Sequence, residues 1–158
     1  MQVRVAETDA DVERCYPVMA QLRPHLTRES LVAQVRRQRE REGYQLVYVE
    51  DEGQVRALAG FRFQEMLARG WHMYVDDLVT DETGRSRGYG AFLMDWLVAR
   101  AREEGCDNLD LDSGVQRFAA HRFYFRQRMT ISSYHFALPL KDDRRPTTDD
   151  RRPTTDDR

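Results

Sequence analysis

The stretch richest in chemistry runs from Tyr74 to Met94. Asp76 and Asp77 precede a turn holding three glycines, Gly84, Gly88 and Gly90, and two arginines, Arg85 and Arg87. Glycines let a backbone approach a ligand closely. A helix leaving such a turn presents amides with no intrahelical acceptor and the positive end of its dipole, both suited to a pyrophosphate. The two guanidinium groups add charge where phosphates would lie. No Gly-Lys-Ser/Thr triplet is present, which excludes a P-loop. The glycines also miss the Gly-x-Gly-x-x-Gly order of dinucleotide sites.

Groups able to move a proton flank this turn. Asp76 and Asp77 lie on the strand entering it, and period-two alternation aims them at opposite faces, Asp76 with Tyr74 and Leu78. Each reads as a general base or as a polar, ion-paired edge residue. His72 is a further base candidate by its ordinary pKa, and equally a structural strand histidine. Tyr124 ends the run Arg117-Phe118-Ala119-Ala120-His121-Arg122-Phe123-Tyr124, where packing beside Phe118, Phe123 and Phe125 is the competing role. Asp107, Asp110, Asp112 and Gly114 have the composition of a calcium loop but not EF-hand spacing. Ser113 lacks a nucleophile elbow. His121 and His135 form no i, i+4 metal pair, and Cys15 and Cys106 no C-x-x-C, so no metal is expected.

Arg85-x-x-Gly88-x-Gly90 resembles the Arg/Gln-x-x-Gly-x-Gly/Ala signature of the GNAT acetyltransferases. The run Arg87-Gly88-Tyr89-Gly90-Ala91 is especially similar to histone-type members. The resemblance covers about residues 1–140 and is strongest from Tyr74 to Tyr124. It implies acetyl-CoA as acyl donor. The backbone of Leu78, Val79 and Thr80 would pair with the pantetheine arm. The amides of Arg85, Ser86, Arg87, Gly88, Tyr89 and Gly90 would hold the pyrophosphate. Ala120, Phe123 and Tyr124 match the family's Asn-x-x-Ala-x-x-Phe-Tyr, whose tyrosine is the usual general acid. Arg117 replaces its asparagine, and Arg128-Met129 stands where Gly-Phe is usual. Tyr74-Val75-Asp76-Asp77-Leu78 resembles the Tyr-Leu-Glu-Asp-Phe of polyamine acetyltransferases, which favours Asp76 as base, acting through water because aspartate is short. The implied reaction is acetyl transfer to a primary amine by direct attack. The acceptor is a small-molecule amine or a peptide or protein amine. A non-catalytic acyl-CoA-binding or protein-interaction module on the same fold is the alternative.

The elements that must position these groups are legible from pattern. Val3 and Val5 alternate as a first strand. Thr8 caps a helix over Asp9–Leu22, with Asp11 as its capping-box partner, and Thr27 caps a second over Arg28–Glu42, which Gly43 ends. Strands follow at 44–50, Gln54–Met66 and 71–80, joined by short turns as an antiparallel meander. The glycine loop spans 81–90. A helix at 91–104, a strand at 108–112, a helix at 117–127 and a final strand at 130–140 complete the chain. The expected fold is α/β, a mixed and mostly antiparallel sheet flanked by helices.

The chain has 158 residues, 41% of them hydrophobic, which suits one domain with a real core. Its formal net charge of −2 gives no reason to expect nucleic acid or an anionic membrane as partner. With no signal-like or membrane-length apolar run, a cytoplasmic protein is expected. A homodimer is left open. From Asp142 the motif Asp-Asp-Arg-Arg-Pro-Thr-Thr repeats, restarting at Asp149 and Asp156. Having no apolar residue but proline, residues 141–158 read as a disordered tail after a domain at 1–140.

Overall fold

In a computed structural model the structure describes residues 1–141. The expectation of a disordered tail lies, from residue 142 on, outside the described residues.

Strand β1 (Gln2–Val5) leads into α1 (Asp9–Leu22), and α2 (Arg28–Glu42) follows. Both helices open with full capping boxes. Thr8 accepts from the Asp11 amide while the Asp11 carboxylate accepts from the Thr8 amide, and Thr27 with Ser30 repeats the exchange. Such caps are worth about 1 kcal/mol each. Gly43 ends α2 at a φ of 65°, in the left-handed region glycine tolerates. Pro17 lies inside α1 and cannot donate to the carbonyl of Glu13. Arg28 fills that vacancy, its Nη1 donating to the Glu13 oxygen at 3.1 Å. One arginine thereby ties α2 to the turn of α1 that proline weakens.

The sheet runs in the order β1, β2 (Gln45–Asp51), β3 (Gln54–Met66), β4 (Gly70–Thr80), β5 (Asn108–Leu111). The first four strands are antiparallel neighbours; β5 pairs parallel to β4. Between β4 and β5 the chain crosses by α3 (Tyr89–Glu103), and α4 (Phe118–Arg126) follows β5. Alternation along the strands splits the core in two. Leu46, Tyr48 and Leu58 meet α1 and α2 on one face. Val47, Val49, Ala57, Ala59 and Phe61 meet α3 on the other. The fold is thus the expected mixed, mostly antiparallel α/β sheet flanked by helices.

The final strand expected at 130–140 is not formed. These residues make no ladder with β5, and Ile131, Tyr134, Phe136, Leu138 and Leu140 all stand in solvent. The apolar alternation is real, but in the structure these side chains are not buried against any other element.

Candidate active site

The β4–β5 ladder ends at Val75 opposite Leu111, whereas β4 stays paired with β3 as far as Thr80 opposite Ala57. Beyond Val75 that edge of β4, which carries Leu78, Val79 and Thr80, has no strand partner among the described residues. Backbone donors and acceptors on such an edge can take an extended ligand as a further strand.

At the end of that edge stands the start of α3. A 3-10 turn, Glu82–Gly84, leads into residues 85–88, and Ser86 and Gly88 take φ of 64° and 85°. Unlike α1 and α2, α3 has no side chain capping its N-terminus. Its first amides keep their hydrogens free for an anion. A Cβ on Gly88 would meet no atom within 4 Å, so the turn is open on the side glycine faces. Tyr89 anchors the loop from below. Its ring is buried, and its hydroxyl donates to Asp51 at 2.7 Å, between β2 and β3. The amide of Tyr89 belongs to the open turn; its side chain belongs to the core.

Gly90 lets three elements converge. A Cβ there would lie 3.0 Å from Thr80 Oγ1 and 3.5 Å from the ring of Phe123. The end of β4, the start of α3 and helix α4 thus meet at one point. Tyr124 follows Phe123, with ring centroids 5.6 Å apart, and is buried. Burial pushes its hydroxyl pKa up, partly opposed by Arg117, so the phenol keeps its proton at neutral pH.

The two aspartates do not follow simple alternation. Gly60 pairs with Asp77 and Phe61 with Val75, leaving Asp76 as the extra residue of a β-bulge. The bulge overturns the expectation of opposite faces. Asp76 and Asp77 line one cavity of about 360 Å³ beneath the α1–α2 connection, together with Tyr74, Tyr44, Arg23 and His25. Tyr124 is not part of its wall.

Their surroundings differ. Asp77 is fully engaged: Tyr44 donates to Oδ2 at 2.8 Å and Arg23 Nε to Oδ1 at 2.8 Å. Asp76 receives Arg62 Nη2 on Oδ1 at 2.9 Å, while its Oδ2 is buried with no partner among the described residues. Burial raises the Asp76 pKa; Arg62 works against that rise. A carboxylate with one anchored oxygen and one free oxygen is equipped to accept a proton.

His72 is fully buried with both nitrogens engaged. Nδ1 lies 3.1 Å from the Gly70 carbonyl and Nε2 lies 3.2 Å from Gln64 Nε2. That pairing assigns the proton to Nδ1 and leaves no lone pair for a substrate. Among the described residues no three His, Cys, Asp or Glu side chains gather as metal ligands would.

Sequence reasoning missed Arg23, Tyr44 and Arg62, the groups that fix the two carboxylates. Gly60 was the available signal, since a glycine inside a strand marks a bulge or a close approach.

A parallel ladder that stops short of the end of β4, an uncapped helix start beyond that end and a carboxylate-lined cavity on the α1–α2 face fit an acyltransferase-type α/β domain. The sequence pattern of the acetyltransferase (GNAT) family matches residues 8–129, and the chain belongs to that family. It is 36% identical over 126 residues, 79% of this chain and 89% of the relative, to the uncharacterized N-acetyltransferase YhdJ of Bacillus subtilis. It is 30% identical over 70 residues, 44% of this chain and 46% of the relative, to the aminoalkylphosphonate N-acetyltransferase of Salmonella typhimurium. Among solved structures, a transcriptional regulator from Bacillus halodurans superposes with a TM-score of 0.76 at 23% identity. That match covers 88% of this chain and 99% of the other, and carries the fold alone. Membership places the chain among the N-acetyltransferases, whose family generally uses acetyl-CoA. No helix among the described residues is long and apolar enough to cross a membrane.

Proposed function

We propose that residues 1–140 form an N-acetyltransferase that moves an acetyl group from acetyl-CoA to a primary amine by direct attack. The observation that carries this reading is the uncapped start of α3 following the stretch of β4 that has lost its β5 partner. The residues present fit the donor. The amides of residues 85–90 would cradle the pyrophosphate, with Arg85 and Arg87 adding charge, and the unpaired backbone of Leu78, Val79 and Thr80 would pair with the pantetheine arm. When bound, acetyl-CoA supplies the acetyl group as a thioester.

The chain's own residues do the rest. Asp76 Oδ2 takes a proton from the incoming ammonium, through a water molecule, so that the nitrogen attacks as a free amine. Arg62 holds the carboxylate in place through Oδ1. The Tyr124 hydroxyl, kept protonated by burial, gives its proton to the departing thiolate. The second proton that the nitrogen sheds on becoming an amide restores the phenol through solvent. The cavity holding Asp76 receives the acceptor, a small-molecule amine or an exposed amine of a peptide or protein.

A panel of amines incubated with acetyl-CoA, read by release of free thiol, tests the proposal. Turnover that needs both acetyl-CoA and a particular amine supports it. Binding of acetyl-CoA without turnover across small amines, peptides and proteins would instead favour a non-catalytic acyl-CoA-binding module.

A further inference from the structure

We infer that Gln21, in the last turn of α1, is a positioning residue for the acetyl-CoA loop, a role that rests on the donor site proposed above. Its carboxamide reaches across the fold to the turn that opens the loop. Nε2 donates to Asp81 Oδ1 at 2.9 Å, and Oε1 accepts from the Glu82 amide at 3.0 Å. Nε2 also faces the Pro17 carbonyl at 3.4 Å. The nitrogen thus has two acceptors and the oxygen one donor, and a flipped amide would lose all three bonds.

The turn needs such a partner. The Asp81 side chain does not cap the 3-10 turn Glu82–Gly84 that follows it. The first amide of a helical turn has no acceptor within the turn, and Gln21 supplies one from another helix. The Asp81 carboxylate turns instead to Gln21 and Thr83, with Arg56 Nη1 at 3.8 Å. The Gln21 bond first, then that from Thr83, holds the Asp81 carboxyl below its ordinary pKa.

From this anchor the backbone passes directly into the loop. The Gly84 amide donates to the Asp81 carbonyl at 2.9 Å and the Arg87 amide to the Gly84 carbonyl at 3.4 Å. Ser86 holds a φ of 64°, a left-handed conformation that a residue other than glycine keeps only where its surroundings impose it. Tyr89 holds the far end of the loop through Asp51, and Gln21 holds the near end. With both ends fixed, little ordering entropy opposes the binding of acetyl-CoA. Two residues beyond Gln21, Arg23 donates to Asp77 and to the Asp76 carbonyl. One helix end therefore registers the donor loop against the acceptor cavity.

Calorimetric titration of the full chain with acetyl-CoA tests this role without an acceptor. Gln21 is exposed, so its variants should fold. Gln21→Met keeps the stem and removes the bonds, and its Kd should rise about tenfold, the worth of two exposed hydrogen bonds. Gln21→Glu keeps an acceptor for Glu82 but sets a second carboxylate against Asp81, and should bind as weakly. The double variant Gln21→Glu, Asp81→Asn exchanges amide and carboxylate between the two positions and should recover most of the affinity. A packing role for Gln21 would give no such recovery. Equal Kd values in wild type and Gln21→Met, or no recovery in the double variant, would overturn this role and leave the donor site standing. No binding by the wild type would remove both together. Hydrogen exchange on the free protein reads the anchor directly. The Glu82 amide should exchange slowly in the wild type and faster in Gln21→Met; equal rates would exclude the bond on which the role depends.

Discussion

The Tyr44 hydroxyl donates to Asp77 Oδ2 at 2.8 Å from a ring that is almost wholly buried, and Gly60 makes this contact sterically feasible. A Cβ on Gly60 would fall 1.8 Å from the Tyr44 oxygen and 2.3 Å from Cζ. Burial first, and then the Asp77 charge, hold the Tyr44 pKa well above its ordinary value, so it remains a donor throughout the neutral range. Gly60→Ala should therefore destabilise the protein by about 1–3 kcal/mol, the usual cost of overpacking. Urea unfolding should show a lower midpoint with an unchanged slope. An unchanged midpoint would mean that the ring has room to move.

Gly88→Asp probes the proposed anion site with little disturbance elsewhere. A side chain there meets no neighbour, and aspartate tolerates a φ of 85° better than most residues. The substitution adds a negative charge at the open start of α3, where it competes with phosphate. Acetyl-CoA should raise the melting temperature of the wild type by linkage and fail to raise that of the variant. Equal shifts in the two proteins would place the pyrophosphate elsewhere.

Local signals in the sequence were decisive wherever structure is set by near neighbours. Thr8, Thr27 and Gly43 mark helix ends through contacts three or four residues away, and the helices begin and stop there. The Asp76 bulge could not be read in this way. Strand alternation assumes an unbroken ladder, and the break arises across strands, where Gly60 admits Tyr44. The 130–140 segment failed for the opposite reason. Its pattern calls for a buried face, but pattern alone does not say which surface supplies one. The glycine-bearing turn before α3 was legible because its residue types themselves mark a turn that leads into a helix.

The raised pKa of Asp76 has consequences of fixed sign. Burial disfavours the ionised carboxylate, so the folded protein holds this proton to a higher pH than the unfolded chain, whose aspartate has the ordinary value of 3.8. The associated stability is full below pH 3.8 and is lost as pH rises through the folded value. Catalytically, the base form disappears on acidification sooner than an ordinary aspartate would lose it. The acid limb of kcat/KM should lie above 3.8, and Asp76→Asn should abolish it. Between that limb and the pKa of the amine the variant should lag most. The gap should narrow as free amine forms unaided. A deficit of the same size at every pH would assign Asp76 a structural role beside Arg62.

Tyr124→Phe tests the proton donor. The substitution keeps the ring that packs against Phe123 and removes only the hydroxyl. Stability and acetyl-CoA affinity should therefore stay close to wild type, because the anion loop and the β4 edge are untouched. Turnover should fall by about 10²–10⁴-fold, the usual contribution of a general acid. The loss should appear in kcat and kcat/KM together, since the proton moves only as the thiolate leaves. The raised pKa adds a second signature. A phenol that stays protonated above its ordinary value of 10.0 keeps its donor form through the alkaline range, so the wild type should show no tyrosine-dependent loss of rate below that pH. An acceptor whose acetylation is limited by chemistry rather than product release is needed for both measurements. Full turnover in Tyr124→Phe with such an acceptor would leave the thiolate to be protonated by water or another group, and Tyr124 would keep only its packing role beside Phe123.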